Sequence, residues 1–387
     1  AMSIALHDAV NAALGKPRRP YLKGVGARGG DVRAAAAQAA HDTLMAFQPA
    51  RAATWSAALS AQLALVADGP AKTQGIATGA AHAAAMIAER AGDGTGAPTP
   101  YAPSGLPGRW APTPPGFGPA INPWLGNVKP WLTTGNDQYR PAPPPALDSP
   151  EYTAAFDEVH ELGAAGSATR TADQTDAALF WGAALGPTTY LQAGIKLGEP
   201  LGWDTIDYAR MFALLNVALA DVTQAIWNSK FHYDYWRPVT AIRSADTDGN
   251  PSTLADPTWT PLLNTPPHQA YVSAHPGIAG ALTPILAELL GEQPYCSVSP
   301  GPMPRTRCFT SFTQSALDSS DSQVWGGIDW RFDSEAGLEL GEAVARHVMD
   351  SRAFDVPAPG ALALFGIGLA GLAAGRARRA SGDGRAQ

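Results

Sequence analysis

Apolar positions along this chain recur mostly at intervals of three and four residues, the spacing that lines one face of an α-helix, and no run of two-residue alternation marks a strand. Ala1 to about Ala13 reads as a helix that breaks at Gly15-Lys-Pro-Arg-Arg-Pro. Three alanine-rich helices follow, at Asp31 to about Gln48, Ala50 to Val66 and Ala71 to Ala91. Asp31 is placed to cap the first, Pro49 and Pro70 mark the breaks, and Gly92-Asp-Gly closes the third. Helical periodicity resumes at Ser149-Pro-Glu-Tyr, with a capping serine and a first-turn proline, and runs to about Leu162. Further helices are expected at Thr171 to Leu185, around Tyr190 to Leu197, from Thr205 to about Lys230, and from about Glu335 to Met349. The stretch from Thr205 is apolar on most faces, which suits the centre of a bundle. The expected fold class is therefore mainly α, a helical bundle with long Pro/Gly-rich loops.

Composition sharpens this picture. With 387 residues, 45% apolar and 16% charged, the chain is globular material, and a net charge of −7 argues against nucleic acid as a partner. The segment from 93 to 150 is rich in proline and glycine but carries Trp110, Phe117, Trp124 and Trp131, so it is expected to wrap in ordered fashion with its rings on the helical core. His7, His41, His82 and His347 read as packing or surface residues. Asp246, Asp248 and Asn250 alternate around a glycine, but the distal glutamate of a calcium loop is absent, and the stretch reads as a solvated turn. Cys296 and Cys308 fit a single loop-closing disulfide if the protein is exported and free thiols if it is cytosolic. The first residues show no basic stretch followed by an apolar run, and they are expected to continue a segment that precedes Ala1.

Candidate chemistry concentrates in Lys230-Phe-His-Tyr-Asp-Tyr-Trp-Arg-Pro-Val-Thr-Ala-Ile-Arg243. On one continuous helix Lys230 and Arg237 would share a face about 10 Å apart along the axis and clamp one tetrahedral oxyanion. The plainer alternative is an exposed Lys230–Asp234 pair with Arg237 stacked on an aromatic neighbour. A second piece, Thr265-Pro-Pro-His-Gln-Ala-Tyr-Val-Ser-Ala-His-Pro-Gly, passes from a rigid loop into a helix starting at Ser273 or His275. There Ser273 is placed to donate its hydroxyl, Ala274 its backbone N–H at a helix start that favours anions, and His275 to act as acid or base. Simple capping by Ser273 and His275 is the competing reading. His268 and His232 are further candidates for lining the pocket.

Lys230 and Arg237-Pro238, followed by Ser273-Ala-His275, resemble the first two motifs of the superfamily that joins vanadium-dependent haloperoxidases to type 2 phosphatidic acid phosphatases and bacterial acid phosphatases. Pro107-Gly-Arg-Trp-Ala-Pro-Thr-Pro-Pro and Arg170-Thr extend the resemblance to the bacterial haloperoxidase-like branch. It implies an α-helical bundle and an oxyanion held by Lys230, Arg237, Ser273 and the Ala274 amide, with His275 as acid/base. The oxyanion is vanadate in the peroxidases and a phosphoryl group in the phosphatases.

The third motif departs from the family. In Asp321-Ser-Gln-Val-Trp-Gly-Gly-Ile-Asp-Trp-Arg, Gln323 stands where the family has arginine, and Asp329 where it has the vanadium-binding or nucleophilic histidine. Losing a guanidinium and gaining a carboxylate weakens binding of a multiply charged oxyanion. Asp329 is expected either to pair with Lys230 or Arg237 in a buried polar network or to act as a nucleophile, and no direct metal ligand is expected unless Asp329 replaces the vanadium-ligating histidine.

Val356-Pro-Ala-Pro, an apolar run from Ala361 to Gly375 and a basic end at Arg379 resemble a PEP-CTERM sorting signal, with Ala358 where glutamate is usual. As a helix the run would span about 22 Å, short of a bilayer core without its flanks. The resemblance implies export in a Gram-negative bacterium to the periplasm, cell surface or medium, a transient inner-membrane anchor, and processing by an exosortase-type enzyme.

The expected organisation is N-terminal bundle helices at 1–92, a wrapping segment at 93–150, the oxyanion-site bundle at 151–352 and a sorting signal at 353–387. The implied activity is peroxide-dependent halide oxidation at a vanadate site, with halide and peroxide as substrates. Phosphoester hydrolysis and a non-catalytic surface or biofilm role are the alternatives, and a homodimer is left open.

Overall fold

The structure, a computed structural model, describes residues 1–15, 17–183, 186–300 and 303–355. In chain order the helices are α1 (Met2–Ala13), α2 (Val32–Phe47), α3 (Ala52–Ala64), α4 (Pro70–Glu89), α5 (Pro150–Leu162), α6 (Ala172–Ala183), α7 (Gly186–Gly198), α8 (Thr205–Tyr233), α9 (Pro238–Arg243) and α10 (Ala274–Leu290). An antiparallel hairpin of β1 (Tyr295–Val298) and β2 (Thr306–Phe309) follows, then α11 (Phe312–Trp325) and α12 (Arg331–Asp350). Caps set the helix starts as the sequence suggests. Asp31 accepts from the Ala34 N–H and Ser149 from the Tyr152 N–H, and Asp204 closes a capping box with Asp207 ahead of α8.

α8 is the axis of the bundle. It is long and apolar enough to cross a bilayer, yet two thirds of its most apolar window is buried by α1, α7, α10 and α12, which makes it a core helix. α10 and α12 form the most extensive helix pair, and glycines let them meet. A Cβ on Gly341 would lie 2.1 Å from the Gly277 carbonyl oxygen, and one on Gly337 2.5 Å from that of Ser273. This close approach brings the start of α10 against the start of α12, where the Ser273 N–H donates to the Asp333 carbonyl at 3.0 Å.

The proline- and glycine-rich segment is ordered and irregular, as expected, apart from a short 3-10 turn at Leu125–Asn127. Asp221 on α8 pins it by accepting from the N–H groups of Trp131, Leu132 and Thr133 at 2.7, 2.8 and 3.0 Å. Trp110 is buried and Trp131 lies under the Arg90 guanidinium, but Phe117 is 63% exposed, contrary to the expected packing of every ring.

Four further expectations need correction or refinement. α8 ends at Asp234, which takes the left-handed conformation at φ 52°, so Lys230 and Arg237 do not share one helix; Arg237 is the N-cap of α9. The hairpin was not foreseen, because its strands are only four residues long. It carries the Cys296–Cys308 disulfide at directly paired positions. The Asp248 loop is no solvated turn. Asp248 accepts from the Asn250 N–H and the Thr253 hydroxyl, and Asn250 donates to the Leu147 carbonyl and the Thr153 hydroxyl, which ties the loop to the wrap and α5.

His7 and His82 pack inside the bundle, bonded to Asp8 and the Thr78 carbonyl. His347 is bonded to the Tyr139 hydroxyl and the Leu132 carbonyl. The sorting tail expected from 356 onward lies outside the described residues.

Candidate functional site: a carboxylate in an oxyanion cradle

Lys230 stands in the last turn of α8 with its side chain wholly buried. Its ammonium donates to the carbonyl oxygens of Gln269 and Ala270, each at 2.7 Å, in the rigid loop that precedes α10. Burial foremost, and then the nearby Arg237 charge, pulls its pKa down to about 7, against the opposing pull of Asp329 and Asp333.

Arg237 is also buried, and every arm of its guanidinium is engaged. Nε donates to the His268 carbonyl at 2.8 Å, Nη1 to the Ile328 carbonyl at 2.7 Å and to Asp329 Oδ1 at 2.5 Å, and Nη2 lies 2.9 Å from His268 Nδ1. The same Nδ1 lies 3.1 Å from the Gln269 carbonyl, so it either accepts from the guanidinium or donates to that carbonyl, according to the tautomer. Burial and then the Lys230 and Arg237 charges hold the His268 pKa well below its ordinary value.

Ser273 is the residue before α10, but its hydroxyl does not cap that helix. It donates instead to Asp329 Oδ2 at 2.7 Å. The two oxygens of one carboxylate are thus bound separately by the guanidinium and the serine hydroxyl that the sequence assigned to an oxyanion. Asp329 is placed for this by the turn after α11, where the Gln323 carbonyl accepts from the N–H groups of Ile328 and Asp329 at 3.1 and 3.4 Å.

The remaining candidates sit around this core. Ala274 and His275 form the first turn of α10, and His275 is half-buried, close enough for its charge to weigh on His268. The buried Gln323 turns its amide N–H to the Ser322 hydroxyl of its own helix, while its Oε1 has no hydrogen-bond partner among the described residues. Its side chain therefore makes no hydrogen bond to the Asp329 carboxylate. His268 does belong to the site, whereas His232 is exposed and lines a separate surface cleft of about 330 Å³ with Tyr101, Arg140 and Asn228.

Sequence reasoning missed Asp333. It is wholly buried in the first turn of α12, four residues past Asp329; its Oδ2 accepts from the Trp330 N–H at 3.1 Å and its Oδ1 has no partner among the described residues. Burial, reinforced by the Asp329 charge, raises its pKa well above the ordinary carboxylate value. The four-residue spacing of Asp329 and Asp333 was a readable signal for two coupled carboxyls.

Comparison with known proteins follows the same residues. Residues 210–354 match the model of the VCPO second helical-bundle domain, and residues 355–379 match the PEP-CTERM protein-sorting motif. The vanadium chloroperoxidase of Curvularia inaequalis is 26% identical over 288 residues, covering 56% of this chain and 47% of that protein, so this chain spans about half the length of that curated relative. A bacterial vanadium-dependent iodoperoxidase structure superposes with a TM-score of 0.76 at 22% identity, covering 92% of this chain and 90% of that one. A holo-type bacterial vanadium-dependent chloroperoxidase structure gives 0.70 at 15% identity, covering 91% and 90%. The chain thus has the fold of the bacterial vanadium-dependent haloperoxidases, with a region that matches the VCPO second helical-bundle domain followed by one that matches the PEP-CTERM sorting motif.

Proposed function

We propose that this chain is an exported, non-catalytic member of the vanadium haloperoxidase superfamily, in which the protein's own Asp329 has taken the place of the bound oxyanion. The observation that carries this reading is the Asp329 carboxylate, held at once by Arg237 and by Ser273 in a buried setting. The residues present do not fit vanadate. Arg237 and Ser273 are committed to a resident anion, and two donors of Lys230 go to backbone carbonyls. A dianionic ligand would have to displace a carboxylate covalently tied to the fold and would meet its charge. The donor Gln323 has lost as a guanidinium is not replaced, since its amide faces Ser322.

The same geometry argues against Asp329 as a phosphoryl-accepting nucleophile. Both its oxygens are hydrogen-bonded, and the side chain is only 5% exposed. What remains is a rigid helical body delivered by a sorting tail, the design of a surface or matrix protein. The test is vanadate binding, followed as thermal protection, for the wild type beside Asp329→His combined with Gln323→Arg. The reading expects protection only in the double variant. Protection of the wild type, with halogenation of a dye or release of phosphate that His275→Ala abolishes, would overturn it.

A further inference from the structure

The last described residues are locked into the body at the point where the sorting motif begins. Phe354 is wholly buried, its ring edge-on to His7 at 4.7 Å and stacked with Tyr21 at 6.3 Å. Asp355, the first residue of the matched motif, accepts from the Arg19 N–H at 2.8 Å through its carbonyl and pairs with Arg210 at 2.5 Å through its carboxylate. From there to the apolar run at Ala361 lie five residues, which reach at most about 18 Å when fully extended. An anchored chain is therefore held with this exit face within roughly 20 Å of the bilayer.

That face is bordered by the loop between α1 and α2, the most basic stretch of an acidic protein. Residues 16–33 contain Lys16, Arg18, Arg19, Lys23, Arg28 and Arg33 against the single acid Asp31, in a chain of net charge −7. The loop is fixed on the body at the exit: Tyr21 and Leu22 donate their N–H groups to Asp8, and Arg19 meets Asp355. Arg18 is neutralised by Asp207, whereas Arg19, Lys23, Arg28 and Arg33 form no ion pair among the described residues, and Lys23, Arg28 and Arg33 are exposed. Cations left unpaired beside a membrane-bound exit lie close to where headgroup charge is felt, a Debye length of about 8–10 Å.

We infer that the 17–33 loop and the chain exit form a membrane-docking face that seats the anchored protein on anionic lipid headgroups. The inference rests on the tail acting as an anchor, and the two ideas fail separately. In the tail's absence from the bilayer, the loop alone would give weak, salt-sensitive attachment; with the tail inserted, the same cations hold the body against the surface in one orientation.

The test uses the full chain of 387 residues with vesicles of phosphatidylcholine, and with vesicles of phosphatidylethanolamine containing about one third phosphatidylglycerol. Co-flotation with the zwitterionic vesicles tests the anchor. Hydrogen exchange of residues 17–30 tests the docking, and slowing by roughly tenfold or more on the anionic vesicles alone is expected, reversed by high salt. The variant Arg19→Glu/Lys23→Glu/Arg28→Glu should still float with both vesicles yet lose that slowing. Failure to float on zwitterionic vesicles refutes the anchor while leaving docking to the anionic arm. Equal slowing on both surfaces, slowing that survives in the triple variant, or slowing produced by a soluble anionic polysaccharide without vesicles would overturn the proposal.

Discussion

Arg237 Nη1 lies 2.5 Å from Asp329 Oδ1, with side-chain exposures of 0% and 5%. Pairs this deeply buried are costly to break from one side, because the remaining charge is left in a low-dielectric interior. Asp329→Ala should therefore destabilise the fold by about 3–5 kcal/mol in urea unfolding, whereas replacing both partners with Arg237→Met and Asp329→Leu should cost less than either single change. A double variant as unstable as the sum of the singles would show that the pair is not an isolated unit.

The buried titratable groups give stability a pH dependence with a defined sign. The Lys230 pKa falls from an unfolded value near 10.5 to about 7, so between these pH values the unfolded chain binds more protons and stability rises with pH. Across that window the wild type should gain on the order of 4 kcal/mol relative to Lys230→Met, measured by denaturant unfolding at each pH.

His268 is likewise held below its unfolded value of 6.5, so its contribution is lost as pH falls beneath 6.5. Asp333, raised above 3.8, acts in the opposite sense over the acid range. His268→Gln should therefore flatten the acid limb that Asp333→Asn steepens, and identical limbs in the two variants would refute the assignment.

The seam between α10 and α12 leaves no room for a methyl group. Gly341→Ala would put a Cβ 2.1 Å from the Gly277 carbonyl and should cost at least about 3 kcal/mol. Gly116→Ala, where nothing lies within 4 Å, should change stability by less than about 0.5 kcal/mol. A tolerated Gly341→Ala would mean that the helices can separate without penalty.

The Cys296–Cys308 bond closes a short loop, with a sequence separation of 12. Removing it by Cys296→Ser with Cys308→Ser should lower stability by about 2–3 kcal/mol on chain-entropy grounds. The loss should be concentrated in the hairpin, which Arg305 and Arg307 otherwise hold to α6 and α11 through Asp176, Asp173 and Asp318. Hydrogen exchange localised elsewhere would contradict this.

The helices, and the residues proposed for the cradle, were legible in the chain because both show as local patterns. Helical periodicity, Asp31, Ser149 and Pro276 announce where backbone hydrogen bonds begin, and Lys230, Arg237, Ser273 and His275 follow a spacing that points to an anion. The substitutions at Gln323 and Asp329 were equally visible, as was the open choice between pairing and nucleophilic roles for Asp329. Only the tertiary structure shows which partners Asp329 meets. Arg237 and Ser273 approach Asp329 across sequence separations of 92 and 56 residues, and the approach depends on α10 and α12 meeting at glycines and on a left-handed turn at Asp234. Burial supplied the rest: no pattern of residue types states that the Asp333 pKa is pushed up or that the Lys230 ammonium donates its hydrogen bonds to backbone carbonyls, because desolvation is a property of the packed interior and not of the chain.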